Sequence, residues 1–146
     1  HFECHAGVHV GEPLEQRVNI RIDPADKIFS QAIRVRDRAC ARCGSPVRFN
    51  AAGLPVSHQA SHFESRRKEG TRFDPENVDT LCCMACHMKW GGDERLAYHA
   101  FKLQQLGVNR LGALLVRSNQ YCKRDRKMAL LMAKTWLKAL LTERRR

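Results

Sequence analysis

The sequence of 146 residues predicts an α+β fold, in which a small metal-clamped core of two short strands and one helix is flanked by longer α-helices. Three observations support this prediction. Cysteine pairs lie at both ends of the segment 40–87, short strand-like stretches lie between them, and apolar residues at helical spacing lie on either side. A chain of this length holds one ordinary domain, or a small core with a helical extension.

The cysteine pairs are typical of a structural zinc site. Cysteines two residues apart on a tight turn present both thiolates to one metal, and two such turns complete the tetrahedral set that zinc prefers. Cys82 and Cys83 are adjacent, so either one could pair with Cys86. We predict Cys83, because it leaves the usual gap of two residues, and Cys82 is then a buried thiol. The predicted ligands of structural Zn²⁺ are Cys40, Cys43, Cys83 and Cys86.

Charge and cysteine number restrict the class of protein. The net charge is +11 and the pI is near 9.8, which favours a polyanionic partner, although a merely soluble basic surface would also account for the charge. The seven cysteines are an odd number and the chain does not begin like a signal peptide. We therefore expect reduced, metal-bound thiols in a cytoplasm. The long apolar stretches are interrupted by lysine or arginine, so no membrane span is predicted.

The chain up to the first cysteine pair is expected to hold an irregular lead-in and then a helix. Residues 1–19 of the lead-in 1–22 have no clear period, and a metal site formed by Cys4, His5 and His9 is not favoured. Asp23 and Pro24 are typical of a helix start. The predicted apolar face of this helix consists of Ala25, Ile28, Phe29, Ala32 and Ile33.

Between the cysteine pairs we expect a strand, a loop, a strand and a helix. Residues 47–56 are interpreted as a short hairpin or loop, and the first strand of the core ends at His62. Residues 64–75 form a basic loop. The second strand is Asn77–Leu81, and the helix begins at Cys83 and ends before Gly91.

The last third is predicted to be helical, so the organisation is 1–22 lead-in, 23–92 helix and clamped core, and 93–146 helical extension. One helix runs from Asp93 to Gly107, a short one covers 109–117, and the last covers 125–143. The expected buried face of the first comprises Leu96, Ala97, Ala100, Phe101 and Leu103. The last helix has a broad apolar surface that we expect to pack on the core or to form a dimer interface. This surface comprises Met128, Leu131, Met132, Trp136 and Leu140.

A histidine, an asparagine and a second histidine follow one another in the clamped segment. Asn77 lies fifteen residues after His62, and His87 directly follows the last cysteine. With these motifs in this order the chain resembles HNH (ββα-metal, His-Me finger) endonucleases with a four-cysteine zinc clamp, in particular the phage NinG (Rap) type of recombination nuclease. The resemblance runs from residue 33 to residue 87, over a third of the chain, and the matching segments within it are 33–38, 40–44, 60–63, 71–77 and 83–87.

The resemblance implies a metal-dependent endonuclease that hydrolyses DNA, encoded by a phage or prophage and acting in the bacterial cytoplasm. His62 would be the general base, oriented by a backbone carbonyl, and Asn77 would fix the loop that carries it or reach the metal. His87 would bind the catalytic divalent metal, Mg²⁺ or Mn²⁺, and water on that metal would protonate the leaving 3′ oxygen. The implied process is recombination, branch processing or packaging.

One departure from the family pattern leaves the metal ligands open. Ser61 precedes the base, where many HNH enzymes have aspartate or a second histidine. His58 would share a face with His62 in a regular strand, so it is either a helper or a packed structural histidine.

The basic loop between base and asparagine is predicted to bind DNA, with a merely solvated loop as the alternative. The residues expected to contact phosphate are Arg66, Arg67, Lys68 and Arg72. A non-catalytic zinc-finger module that binds DNA is the alternative function. A metal-stabilised protein-interaction domain is a third, and it leaves the charge unexplained.

Overall fold

The computed structural model describes residues 22–144, apart from the side chains of Cys83 and Met84. The predictions for the lead-in up to residue 21, with Cys4, His5 and His9, lie outside the described residues. The described chain has an α+β fold, as predicted, in which the sheet has two strands. Its elements are α1 Pro24–Asp37, β1 Gln59–His62, α2 Glu69–Arg72, a 3₁₀ turn Pro75–Asn77, β2 Val78–Leu81, α3 Cys83–Gly91, α4 Arg95–Asn119 and α5 Arg126–Glu143.

Helix α1 starts and ends as its sequence predicts. The Asp23 carboxylate accepts a hydrogen bond from the Ala25 amide at 2.8 Å, and Pro24 is the first helical residue. The helix ends at Arg38, whose left-handed backbone (φ 64°) terminates the hydrogen-bond ladder. The buried side of α1 packs against α5 and against both strands.

The sheet is a short antiparallel pair in which Gln59 lies opposite Leu81 and His62 opposite Val78. Strand β1 ends at His62, as predicted, and β2 begins at Val78, directly after Asn77 in the 3₁₀ turn. Residues 47–56 form a loop with a single isolated bridge, between Phe49 and Pro55, within the predicted hairpin or loop. One detail differs from expectation, because the basic loop includes the short helix α2.

Helix α4 breaks at Gly107 (φ 76°, ψ 166°), where the sequence predicts a helix end. The predicted buried face is wrong apart from Phe101, which is half-buried against the core. Leu96 is 86% exposed, whereas Tyr98, Lys102 and Leu106 are buried. The buried lysine is paired with an acidic residue of the sheet, and a pattern based on apolar residues alone cannot anticipate such a pair.

Helix α5 begins where predicted, and the Asp125 carboxylate caps it by accepting a hydrogen bond from the Met128 amide at 2.9 Å. Its packed side contains Ala133 and Leu137, with Trp136 half-buried beside them. Three residues of the predicted apolar surface point instead to solvent, namely Met128, Leu131 and Met132. In residues 22–144, none of the helices has the length and apolar character that a membrane span requires.

Helices α2 and α4 touch at a point where only glycine fits. A Cβ atom on Gly70 would lie 2.4 Å from the carbonyl oxygen of Arg117, which belongs to the backbone of α4 and cannot rotate aside. This contact joins the loop after β1 to the end of α4.

Replacing Gly70 by alanine should therefore lower the free energy of unfolding by about 1–3 kcal/mol, the usual cost of overpacking. Gly112→Ala is the matched control. Gly112 also lies in a helix, α4, but a Cβ atom there would have no neighbouring atom within 4 Å. It should be neutral or stabilising by up to about 1 kcal/mol. Urea unfolding of both variants tests the contact, and equal stability of the two would contradict it.

Candidate functional site

Four cysteines form a cluster that could hold a metal ion: Cys40, Cys43, Cys82 and Cys86. Their sulfur atoms all lie within 4.8 Å of one another, and the Cys43 and Cys82 sulfurs are 3.5 Å apart. In a tetrahedral zinc site with bonds of about 2.3 Å, the sulfurs are about 3.8 Å apart. Both the donor atoms and their spacing therefore fit zinc.

The prediction that Cys82 is a buried thiol outside the site is wrong. Cys82 is half-buried, and its extended backbone (φ −68°, ψ 147°) leads into α3. Its sulfur and that of Cys86 join the cluster from either side of the first helical turn, with a gap of three residues that zinc sites also use. The side chain of Cys83 lies outside the described part of the chain, so its role as a ligand stays a prediction.

Polar neighbours tune the cysteine cluster. The Ser45 hydroxyl lies 3.3 Å from the Cys43 sulfur, and this hydrogen bond lowers the pKa of the Cys43 thiol to about 6. Burial raises the pKa of Cys82 and of Cys86. Two thiols thus keep their protons at neutral pH until a metal displaces them, so metal binding releases protons.

Arg42 joins the cluster to α4. One guanidinium nitrogen lies 3.5 Å from the Cys86 sulfur, and two others donate to the Glu94 carboxylate at 2.9 Å each. A positive charge here offsets the negative charge of a four-thiolate site.

His58 supports the first cysteine turn. Its Nε2 lies 3.0 Å from both oxygens of Ser45, the residue that contacts Cys43, and its Nδ1 lies 2.8 Å from the Ser57 hydroxyl. Its backbone is left-handed (φ 64°), and β1 begins only at the next residue. The strand spacing that would pair His58 with His62 therefore does not hold, and of the two open roles the structural one fits.

His62 has the features of a neutral, oriented base. Its Nε2 lies 2.8 Å from the carbonyl oxygen of Arg72. A carbonyl only accepts, so Nε2 carries the hydrogen and Nδ1 is left as an acceptor. Burial lowers the pKa of His62 to about 4, and the hydrogen bond to the carbonyl opposes this only in part. The ring is therefore uncharged at pH 7.

Asn77 closes the loop that follows His62. Its side chain is fully buried, and its oxygen accepts from the Glu64 amide at 2.7 Å. Its NH₂ group donates to the carbonyl oxygens of Glu64 at 3.0 Å and Thr71 at 2.9 Å. Of the two predicted roles for Asn77, the geometry is that of fixing the loop.

His87 is half-buried on α3, and α3 packs against β1, the strand that ends at His62. Among the described residues, no group of three histidine, cysteine or acidic side chains besides the four-cysteine cluster lies within ligand distance. A metal at His87 would therefore take most of its ligands from water and phosphate oxygens.

The four basic residues of the predicted DNA contact differ in availability. Arg67 is exposed, and Arg66 is 59% exposed with one contact of 3.3 Å to Asp26. Lys68 donates to Glu64 at 2.6 Å. Arg72 is only 13% exposed and its guanidinium is hydrogen-bonded to Asp26, so it is committed to the fold.

A buried charged network beside His62 was not anticipated from the sequence. Asp79 lies opposite Ser61 in the sheet, and its carboxylate accepts from Lys102 and from the Tyr98 hydroxyl, each at 2.9 Å. Gln105 donates to the other oxygen at 3.1 Å. Burial lowers the pKa of Lys102, and the Asp79 charge opposes that change. The one signal in the sequence that could have indicated this network is Asp79 itself, a charged residue in a strand whose residues are all buried.

Comparisons of the chain with protein-family models, with curated proteins and with solved structures gave no match.

The ligand set can be tested by metal analysis of single variants. We expect the parent protein to bind one zinc per chain and Cys82→Ser to lose it or hold it much more weakly, because three thiolates remain. Cys83→Ser should keep the metal, since four other sulfurs complete the set. Cys122→Ser is the control, because Cys122 is exposed and outside the cluster. Loss of zinc from Cys83→Ser with retention in Cys82→Ser would reverse the assignment.

The lowered pKa of His62 predicts a pH-dependent stability. Between its ordinary value of 6.5 and about 4, the unfolded chain binds a proton that the folded chain does not. His62 therefore contributes stability above pH 6.5 that is lost as the pH falls towards 4, by up to about 3 kcal/mol. The difference in unfolding free energy between the parent and His62→Gln should be smaller at pH 4 than at pH 7, because only the parent loses the contribution of His62. A pH-independent difference would rule out the buried neutral ring.

Proposed function

We propose that the chain is a metal-dependent HNH endonuclease that hydrolyses DNA phosphodiester bonds. The observation that carries this proposal is His62, a neutral histidine at the end of β1 whose Nε2 is held by a backbone carbonyl and whose Nδ1 is left as an acceptor. The order strand, loop, strand and helix beside four clustered cysteines supports the same family.

The proposed chemistry begins with proton transfer to His62. Its Nδ1 takes a proton from water while the water oxygen attacks phosphorus, and the bond from phosphorus to O3′ breaks with its electron pair going to O3′. Protonation of that oxygen leaves a 3′-hydroxyl and a 5′-phosphate end. The Arg72 carbonyl stabilises the imidazolium that forms, because it accepts a hydrogen bond from the opposite ring nitrogen.

A pKa near 4 would make His62 a weak base in the free protein, but substrate changes its surroundings. A nearby phosphate carries negative charge, which favours the protonated ring and raises its pKa towards neutrality. This shift brings the base closer to the value at which proton transfer is efficient at pH 7.

His87 is the proposed protein ligand of the catalytic metal. A divalent cation there would act as a Lewis acid that stabilises charge on the phosphate. Mg²⁺ and Mn²⁺ suit a site with one imidazole and otherwise oxygen ligands, whereas the four thiolates select zinc.

The DNA surface of this proposal comprises Arg66, Arg67 and Lys68, in the loop between β1 and α2. These residues follow His62 closely in the chain, and the net charge of +11 favours a polyanion. Arg72 takes a different part, because its carbonyl orients His62 and its side chain pairs with Asp26. We therefore assign it no phosphate contact.

A non-catalytic zinc-containing module that binds DNA is the competing function. The cysteine cluster and the charge fit it equally well. Binding alone, however, gives no reason to hold a neutral histidine against a carbonyl in a loop closed by a buried asparagine. The setting that we propose for the enzyme is phage recombination, branch processing or packaging.

Plasmid cleavage tests the proposed chemistry. The parent protein should nick or linearise supercoiled DNA with Mg²⁺ or Mn²⁺, and His62→Ala should be slower by about 10²–10⁴-fold while it keeps its zinc, because it lacks the base. His99→Ala, which removes an exposed histidine of α4, is the control and should retain activity. If neither the parent nor the variants cut plasmid or branched DNA, while all shift DNA on a gel, the binding module is the function.

A further inference from the structure

The segment 120–125, which joins α4 to α5, exposes an aromatic side chain among cations. Its sequence is Gln-Tyr-Cys-Lys-Arg-Asp, and all of these residues are exposed. Tyr121 is 93% exposed, the highest value among the large apolar and aromatic side chains of the described chain. Packing within residues 22–144 therefore does not explain why a large ring is found there.

This segment is fixed to α2 from both ends. On its N-terminal side, Asn119 accepts a hydrogen bond from Lys68 at 3.2 Å, next to the close contact of Gly70 with α4. On its C-terminal side, Arg126 donates to Glu69 at 2.6 Å and 2.9 Å. The two ends of the segment that carries Tyr121 are thus held beside the start of α2.

Helix α2 also connects the segment to His62. The Arg72 carbonyl that orients the His62 ring is at the end of α2, and the helix has only four residues. At a rise of 1.5 Å per residue, α2 is about 6 Å long. The residues that flank the segment therefore bond to the start of α2, and the candidate base bonds to the carbonyl at its end.

The charge around Tyr121 is suited to phosphate. The acidic side chain within the segment and the one bonded to its C-terminal side already have partners, because the Asp125 carboxylate caps α5 and Glu69 is bonded to Arg126. Lys123 is exposed, and Arg124 is 68% exposed with one contact of 3.6 Å to Glu69. Basic side chains beside an accessible ring are the combination that binds single-stranded nucleic acid.

We propose that segment 120–125 is a second DNA contact, in which Tyr121 stacks on an unpaired base while Lys123 and Arg124 bind the adjoining phosphates. The bases of an intact duplex are stacked on one another, so the ring can engage only a base that has left the helix. Every base has a π-face, so the contact tolerates any sequence. The inference rests on the proposed nuclease function and specifies its substrate as DNA with unpaired bases beside the cleaved bond.

Binding measured without the catalytic metal separates this inference from cleavage. Fluorescence anisotropy in EDTA-free buffer with no added Mg²⁺ or Mn²⁺ would compare labelled oligothymidine of about 20 nucleotides, longer than one typical site, with a duplex of the same length. Tyr121→Ser should weaken binding of the single strand by roughly 5- to 100-fold, the range for loss of one base stack. Its affinity for the duplex should stay within about twofold, because phosphate contacts dominate there.

Three further variants sharpen the test. Tyr121→Phe keeps the ring and should bind like the parent, and Val108→Ser removes a different exposed apolar side chain and should do the same. Lys123→Gln combined with Arg124→Gln should weaken both DNAs and reduce the slope of log affinity against log salt by about 1–2.

Equal single-strand affinity of Tyr121→Ser and the parent overturns the inference, as does equal loss on the duplex. A protein partner as the ligand of this segment would give the first result. The binding assay and the cleavage assay distinguish the two proposals. If Tyr121→Ser weakens single-strand binding but the parent never cuts DNA, the Tyr121 contact is supported and the nuclease function is contradicted. If the parent cuts DNA but Tyr121→Ser binds single strands like the parent, the nuclease function is supported and the Tyr121 contact is contradicted.

Discussion

The buried amide of Asn77 is the constraint on which the candidate site depends. Its three hydrogen bonds tie Glu64 and Thr71 together, so the chain that leaves β1 must return to a fixed point before β2 begins. Arg72 directly follows Thr71, and its carbonyl holds the ring of His62. A conformationally free loop could not orient that ring, so the tautomer of His62 follows from the closure of the loop, whereas its neutral charge follows from burial.

The cysteine cluster anchors the same sheet from its other end. The Ala41 amide, within the first cysteine turn, donates to the Thr80 carbonyl at 2.8 Å, and the Asp37 carboxylate accepts from the Thr80 amide at 2.8 Å. Two strands of four residues have little stability of their own. The sheet is held by the cysteine turn, by α1 and by the pair Asp79–Lys102, and a metal in the cluster would strengthen the first of these.

Sequence reasoning succeeded where local chemistry is decisive. The cap at Asp23 and the helix break at Gly107 were predicted because each depends on one or two neighbouring residues, whereas the strand end at His62 was predicted from the family resemblance. It failed where partners are distant in sequence. The buried face of α4 was misassigned because Lys102 enters the core with a partner 23 residues away, and the choice between adjacent cysteines depended on how the chain enters α3.

The central claim is that His62 is a neutral base, protonated on Nε2, with Nδ1 free to accept a proton. NMR of ring-labelled histidine measures both properties, since the nitrogen shifts report the tautomer and their titration gives the pKa. The account predicts the Nε2–H tautomer at neutral pH and a pKa of about 4 in the free protein. A pKa near the ordinary 6.5, or a hydrogen on Nδ1, would contradict it.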